Sequence, residues 1–274
     1  MIRHLGTTGK YLSLVLGSLV ALVPIIVILF ASLKSNTEYA TTGPLVPPSN
    51  WFNFANFATA FVDGRMMLGF LNTSIIAVIS VTGTILIGTM AAYVLDRFEF
   101  RFKKVVFGLF LVATLVPAVT TQVATYQVVN FFHLVNTHGA AIILFMGTDI
   151  LSIYIFIQFM QSIPRSLDEA AMLDGASRFG VYWRIILPLL GPAIATVVII
   201  KGIAIYNEFY IPYLYMPAQD LAVISTSLFR FQGPYGAQWE IIAAGIMIVI
   251  VPTLIIFLFL QRFIYNGVTS GATK

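Results

Sequence analysis

Cysteine is absent from the 274 residues, which excludes disulfides, thiolate catalysis and cysteine metal sites. Histidine is scarce, with three copies, and no H-E-x-x-H pattern sets two of them on one helix face, so the residues of a zinc hydrolase are missing. His133 and His138 share one predicted outer loop without a carboxylate cluster suited to a metal. A phosphate loop is also missing: in GTTGK (Gly6 to Lys10), His4 stands where the first glycine is required and Tyr11 follows the lysine. The scarcest property of all is charge. Only 9% of the residues are Asp, Glu, Lys or Arg, against about 25% in soluble domains. The net charge of +4 calls for no nucleic-acid partner.

What remains is apolar: 59% of the chain is hydrophobic and its mean hydropathy is +0.92. A bilayer core about 30 Å thick takes roughly 20 apolar residues to cross. Six stretches meet that length, at about 11–33, 70–95, 104–128, 139–161, 191–215 and 240–264. The expected fold is therefore an all-α integral membrane protein of six transmembrane helices, forming one membrane domain over residues 1–274 with an inner loop at 162–190. The first stretch exceeds the 7–15 apolar residues of a cleaved signal and reads as a retained anchor. Cytoplasmic loops keep Lys and Arg, and placing the N-terminus inside puts eleven of the fifteen such residues there. Lys34, Arg65 and Arg230 then lie outside and Lys201 lies within a span. Both termini and the loop at 162–190 are predicted to be cytoplasmic.

The outer loop from about 34 to 69 carries WFNFANFATAF (Trp51 to Phe61), aromatics suited to the lipid headgroup level; an aromatic platform for a sugar is the other reading. In the second stretch Ala77, Ser80, Thr84, Gly88 and Ala91 form a stripe of small residues that predicts close helix packing. Pro24, Pro117 and Pro252 fall inside stretches and predict kinks. Asp149, near the middle of the fourth stretch, and Lys201, in the fifth, are costly in lipid. They are expected either to pair with each other or to line a pathway, with Glu208 seven residues beyond Lys201 on the same face.

The one dense polar segment is EAAMLDGASRFGVYWRIILP, Glu169 to Pro188. Ser166, Leu167, Asp168 and Glu169 spell a capping box after Pro164, predicting a helix from about Leu167 with Ser166 as its cap. Gly175 would end it in a left-handed turn or leave a bare contact point. Such a helix of two turns is about 12 Å long. A second amphipathic piece is expected over Phe179 to Leu187, with Tyr182, Trp183 and Arg184 at the inner surface.

The spacing of EAA, three residues, Gly175, nine residues, Ile185, one residue, Leu187 and Pro188 resembles the cytoplasmic signature loop of permease subunits from binding-protein-dependent ABC importers. LNTSIIAV (from Leu71), YNEFYIPYLY (from Tyr206), LFRFQGPYGAQWEIIAAG (from Leu228) and QRFIYNGVTSGATK at the end are similar to recurring segments of MalG-like permeases for carbohydrates of the maltose type. That resemblance implies the type I importer fold with a MetI-like core. It also implies a MalF-like second permease, two copies of a cytoplasmic ATPase that binds ATP and Mg, and an extracytoplasmic sugar-binding protein, all in the bacterial or archaeal cell membrane. By position it implies that Glu169, Ala170, Ala171, Asp174, Gly175 and Arg178 meet the ATPase. Gly267, Thr269 and Gly271 would reach it from the tail, where a disordered terminus is the other reading. Gly233, Pro234, Tyr235 and Gly236 would face the binding protein, unless they form only a turn. The chain itself would be a passive subunit with no catalytic residue, metal or cofactor of its own. Glycerol-phosphate or polyol uptake, or an ion-coupled secondary transporter using Asp149, Lys201 and Glu208, are the alternative functions.

Overall fold

The computed structural model describes residues 2–147, 149–233 and 236–272. Its elements in chain order are α1 (Ile2–Leu33), α2 (Asn36–Thr41), α3 (Ala55–Asp63), α4 (Met66–Arg97), α5 (Lys103–Leu115), α6 (Ala118–Phe131), α7 (His138–Met146) and α8 (Ile150–Met160). There follow α9 (Ser166–Leu173), α10 (Arg178–Val181), a π-helical turn (Tyr182–Ile186), α11 (Leu187–Leu189), α12 (Gly191–Asn207), α13 (Tyr210–Tyr215) and α14 (Ile224–Ser227). A two-strand hairpin, β1 (Gln232–Gly233) and β2 (Gly236–Ala237), precedes α15 (Trp239–Ala272). Short 3₁₀ turns lie at Gln219–Leu221 and Leu228–Phe231.

Among the described residues two helical stretches, Lys10–Leu33 and Met66–Arg97, are each long and apolar enough to cross a membrane unbroken. Three further crossings arise only if bent pairs count as one, which brings the number to five, and the apolar run Trp239–Ile255 is shorter. The proline expectation divides accordingly. Pro117 breaks its stretch, because Val116 before it is extended (ψ 115°) and the ring supplies no N–H, and α5 and α6 meet at 107°. Pro24 and Pro252 instead sit inside the uninterrupted α1 and α15.

The chain forms two compact units, Met1–Met67 with Thr226–Ile256, and Leu68–Ser225 with Phe257–Lys274. In the first, Ser35 caps α2 by accepting the Glu38 N–H at 3.2 Å, and Lys34, only 2% exposed, donates to Thr42 Oγ1 and to the Gly43 carbonyl, each at 2.9 Å. Asn36 Nδ2 donates to Glu240 Oε1 at 2.9 Å, tying α2 to the start of α15. A cavity of about 500 Å³ lies there, walled by Val27, Ala31, Lys34, Trp239, Ile242 and others. Trp51, Phe52 and Phe54 of the aromatic loop are exposed.

In the second unit the small-residue stripe of α4 packs inward against the broken pair α7 and α8. Thr84 Oγ1 reaches the Phe145 carbonyl at 3.5 Å. A side chain added at Gly88 would press on Phe156 at 3.0 Å, which is why the smallest residue stands there. Ala92, Tyr93, Ile153, Phe156, Met160, Tyr182, Ile186 and Leu190 complete one core at that end. At the other end Asn72, in the LNTS segment, donates to the carbonyls of Asp220 and Ala222 at 2.9 Å each, and His138 Nε2 lies 3.1 Å from its Oδ1.

Candidate functional site: the α9 loop and its anchorage

The helix α9 spans eight residues, close to the two turns expected from sequence, but the capping box does not form. Arg165, in helical conformation, occupies the cap position without a side-chain bond. The first amides of α9 are taken by backbone instead: Leu167 N–H by the Pro164 carbonyl at 3.3 Å, and those of Asp168 and Glu169 by the Arg165 carbonyl at 3.0 and 3.1 Å. With Pro164 already turning the chain into the helix, no orphan donor is left for Ser166, and Glu169 points outward, exposed.

The far end follows the glycine rule closely. Gly175 has φ +86°, its N–H bonds the Met172 carbonyl at 3.1 Å, and the Ala176 N–H bonds the Ala171 carbonyl at 2.9 Å. That pair of bonds is a Schellman ending, which favours glycine at the left-handed position. A Cβ there would meet nothing within 4 Å, so the backbone angle alone, within this chain, accounts for the glycine.

The two faces of α9 differ. Asp168 is buried and Ala171, three residues on, packs against the core of its unit. Glu169, Ala170, Met172, Leu173, Asp174 and Gly175 are exposed, Leu173 to 89%. Of the six residues assigned to ATPase contact by resemblance, Ala171 and Arg178 therefore engage their own chain, Ala171 through the core and Arg178 through Phe98 and Tyr93.

What holds Asp168 down was not visible in the motif. Arg97, the last residue of α4, places Nε 2.6 Å from Asp168 Oδ2 and Nη1 2.9 Å from Asp96 Oδ2, with the Arg97 and Asp168 side chains only 7% and 9% exposed. Its Nη2 donates to the Ile163 carbonyl at 2.9 Å, and Arg165 Nη2 donates to the Asp96 carbonyl at 3.0 Å. Burial pushes the Asp168 carboxyl above the ordinary aspartate value, against the opposing pull of Arg97 and Arg165. The folded chain thus binds this proton more readily than the unfolded one, so ionising Asp168 costs stability as pH rises through its folded value. The only sequence hint was the clustering of Asp96, Arg97, Glu99 and Arg101 where the second apolar stretch ends.

Beyond Gly175, Ser177 caps α10 by accepting the Gly180 N–H at 3.1 Å. The Arg178 guanidinium stands 4.9 Å over the Phe98 ring, and Tyr93 Oη donates to the Arg178 carbonyl at 3.2 Å. The piece expected as one amphipathic helix over 179–187 instead changes to a π-turn at Tyr182, whose hydroxyl meets Thr89 Oγ1 at 2.8 Å in the core.

Asp149 and Lys201 pair, as one of the two expectations had it, but the place of Asp149 and the role of Glu208 differ from the expectation. Asp149 lies in the break between α7 and α8, which meet at 43°, and not mid-helix. Lys201 Nζ stands 3.0 Å from its Oδ2, and Ser152 Oγ donates to the same oxygen at 2.6 Å. Glu208 does not continue that face, because α12 ends at Asn207. Its Oε1 accepts the N–H groups of Tyr210 and Ile211 at 2.8 and 3.2 Å and so starts α13. Gly233 and Gly236 pair across the hairpin, Gly236 with φ +135°, whereas Pro234 and Tyr235 lie outside the described residues. Gly267, Thr269 and Gly271 fall within the helical course of α15.

Residues 84–269 match the family of binding-protein-dependent transport system inner membrane components. The chain is 31% identical to the probable starch degradation products transport system permease protein of Thermoanaerobacterium thermosulfurigenes, over 97% of both chains. It is 31% identical to the melibiose/raffinose/stachyose import permease protein of Bacillus subtilis, over 92% of this chain and 91% of that one. Its fold is similar to a chain of a bacterial ABC transporter involved in the import of the acidic polysaccharide alginate, with a TM-score of 0.81 at 20% identity, covering 95% of this chain and 96% of that one.

Proposed function

Because this chain belongs to the family of binding-protein-dependent transport system inner membrane components, we propose that it is the MalG-like membrane-spanning permease of a sugar importer and that it serves a di- or oligosaccharide. Relatives named for starch degradation products and for melibiose, raffinose and stachyose support that substrate class. In this reading an extracytoplasmic binding protein delivers the sugar to a cavity shared with a MalF-like second permease. Two cytoplasmic ATPases hydrolyse ATP with Mg, and both termini of this chain lie on the cytoplasmic side. The chain performs no bond chemistry; it converts movement into access.

The observation that carries the coupling role is the two-faced α9. Its inner side is held by Asp168 and Ala171, and its outer side offers Glu169, Ala170, Met172 and Leu173 to solvent. A short helix whose outward face sets one carboxylate, Glu169, beside apolar Ala170, Met172 and Leu173, with both ends fixed, suits insertion into a groove of a partner. The hairpin at Gly233 to Gly236 is assigned to the binding protein, and Gly267, Thr269 and Gly271 to the ATPase interface, on resemblance.

The cysteine-free chain makes the test direct. Ala170→Cys, co-expressed with the partner permease and an ATPase carrying a single cysteine in its groove, is expected to cross-link and to co-purify. Vesicles holding the complex are expected to take up a labelled oligosaccharide, and not glycerol phosphate, when ATP and binding protein are supplied. Recovery of a stable homomer that transports without any ATPase would replace this reading with an ion-coupled transporter, for which the Asp149 and Lys201 pair would be the first place to look.

A further inference from the structure

The connection of α9 to the rest of its unit is not made by its own flanking segments alone. At its front, one guanidinium, Arg97, touches three acceptors from three places: Asp96 on α4, the Ile163 carbonyl in the connection from α8, and Asp168 in the first turn of α9. Arg165 returns a bond to the Asp96 carbonyl. At its rear, Arg178 stacks over Phe98 and its carbonyl accepts from Tyr93. Both ends of the segment from 163 to 178 are therefore fastened to one turn, Tyr93 to Phe98, where α4 ends.

We propose that Arg97 is the joint that couples α9 to α4, a positioning residue that hands displacement of the coupling helix to the second long helix instead of leaving it in the loop. This rests on the reading of α9 as the ATPase-facing helix. Three features favour a joint over simple glue. The contacts are charge-assisted and shielded from water, so they are short and little weakened by salt. Arg97 donates through Nη1 and Nη2 to Asp96 and the Ile163 carbonyl and sets Nε in ion-pair contact with Asp168, three directions that the single ammonium of lysine cannot reproduce. Beyond the joint, α4 is packed by its small-residue stripe onto α7 and α8, through Thr84 to the Phe145 carbonyl and Gly88 against Phe156, and Asp149 sits where those two helices break. Movement delivered at Arg97 thus has a close-packed route to the intramembrane ion pair, since packed helices shift as units and do not deform continuously.

The test uses the whole importer with Arg97→Lys and, separately, Asp168→Asn, which leaves the Arg97 contacts to Asp96 and Ile163 in place. Each variant is assayed for cross-linking at residue 170, for ATP hydrolysis stimulated by the binding protein, and for sugar transported per ATP. Cross-linking is expected to stay at the level of the unaltered chain while sugar per ATP falls about fivefold or more, and the double variant is expected to be no worse than the poorer single one. A sugar-to-ATP ratio equal to the unaltered chain in either variant overturns the joint, as does a drop in yield with the ratio unchanged, the signature of a purely structural clamp. If Arg97→Lys fails to fold, Asp168→Asn decides alone. Absence of the cross-link in the chain with Arg97 and Asp168 intact overturns the α9 reading itself, a different failure.

Discussion

Two charged clusters lie in the same unit of this protein and are built on opposite plans. Around Arg97 two acids and two bases are interlaced with main-chain carbonyls, and the central Arg97 and Asp168 side chains are almost wholly buried. Around Asp149 there is one acid, one base and one serine, with the Asp149 and Lys201 side chains 15% and 19% exposed. The first cluster spends its charge on holding backbone segments in place. The second offsets two charges that lipid would otherwise penalise, and does so at a helix break where the chain already bends. A network wired into carbonyls makes a fixed point, whereas a lone pair at a break leaves the segments around it free to separate.

That contrast orders the expected effects. Arg97→Ala should be the most damaging, at about 3–5 kcal/mol, because it strands buried carboxylates without a cation; thermal unfolding of the purified protein and its yield from membranes are the measurements. Asp168→Asn should cost clearly less, since burial already favours the neutral form and Arg97 retains Asp96. Equal losses would mean that the Arg97 cluster is just another ion pair. Next come Asp149→Lys and Lys201→Asp, each expected to destabilise by about 2–3 kcal/mol, with most of the loss recovered when both are present. A double exchange that stays unstable or inactive would show that the pair does more than compensate itself. The smallest effect is expected at the end of α9, where Gly175→Ala places a Cβ in the left-handed region at a cost of about 1–2 kcal/mol. Gly175→Asn should recover part of it, read from the melting temperature, and a neutral Gly175→Ala would contradict the Schellman ending.

The apolar stretches and the glycine were legible because they depend on local chemistry. Hydropathy located the end of α1 at Leu33 and both ends of α4 to within a few residues, though α1 starts at Ile2, well before the expected span, and Gly175 marked the end of α9 as its φ of +86° requires. The capping box misled because S-x-x-E is only an opportunity: at Ser35 an extended residue leaves the Glu38 amide free to be capped, whereas at Ser166 the chain enters already turned by Pro164 and backbone carbonyls arrive first. Ser177, with no acid three residues later, caps all the same. The partnership of Arg97 with Asp168 was out of reach of any local pattern, because the two come together only once α4 and α9 are both in place. The pairing of Asp149 with Lys201 was open to reasoning from the cost of charge in lipid, but its position at a break was not, since Gly147 and Asp149 sit within a run that is long enough to cross a membrane and predominantly apolar.

The π-turn at Tyr182 to Ile186 has a consequence for how this loop tolerates change. The Leu187 amide bonds the Tyr182 carbonyl, five residues back, so the helix carries one residue more than an α-helical path would need, and everything before it is rotated by about 100° relative to everything after. Tyr182 faces the core and meets Thr89 only in that phase. Removing a single residue here would leave the composition of the loop and its length nearly untouched, yet swing Arg178 away from Phe98 and aim the outward face of α9 in a new direction. In this stretch it is the count of residues, more than their kind, that sets the direction in which the outward face of α9 looks.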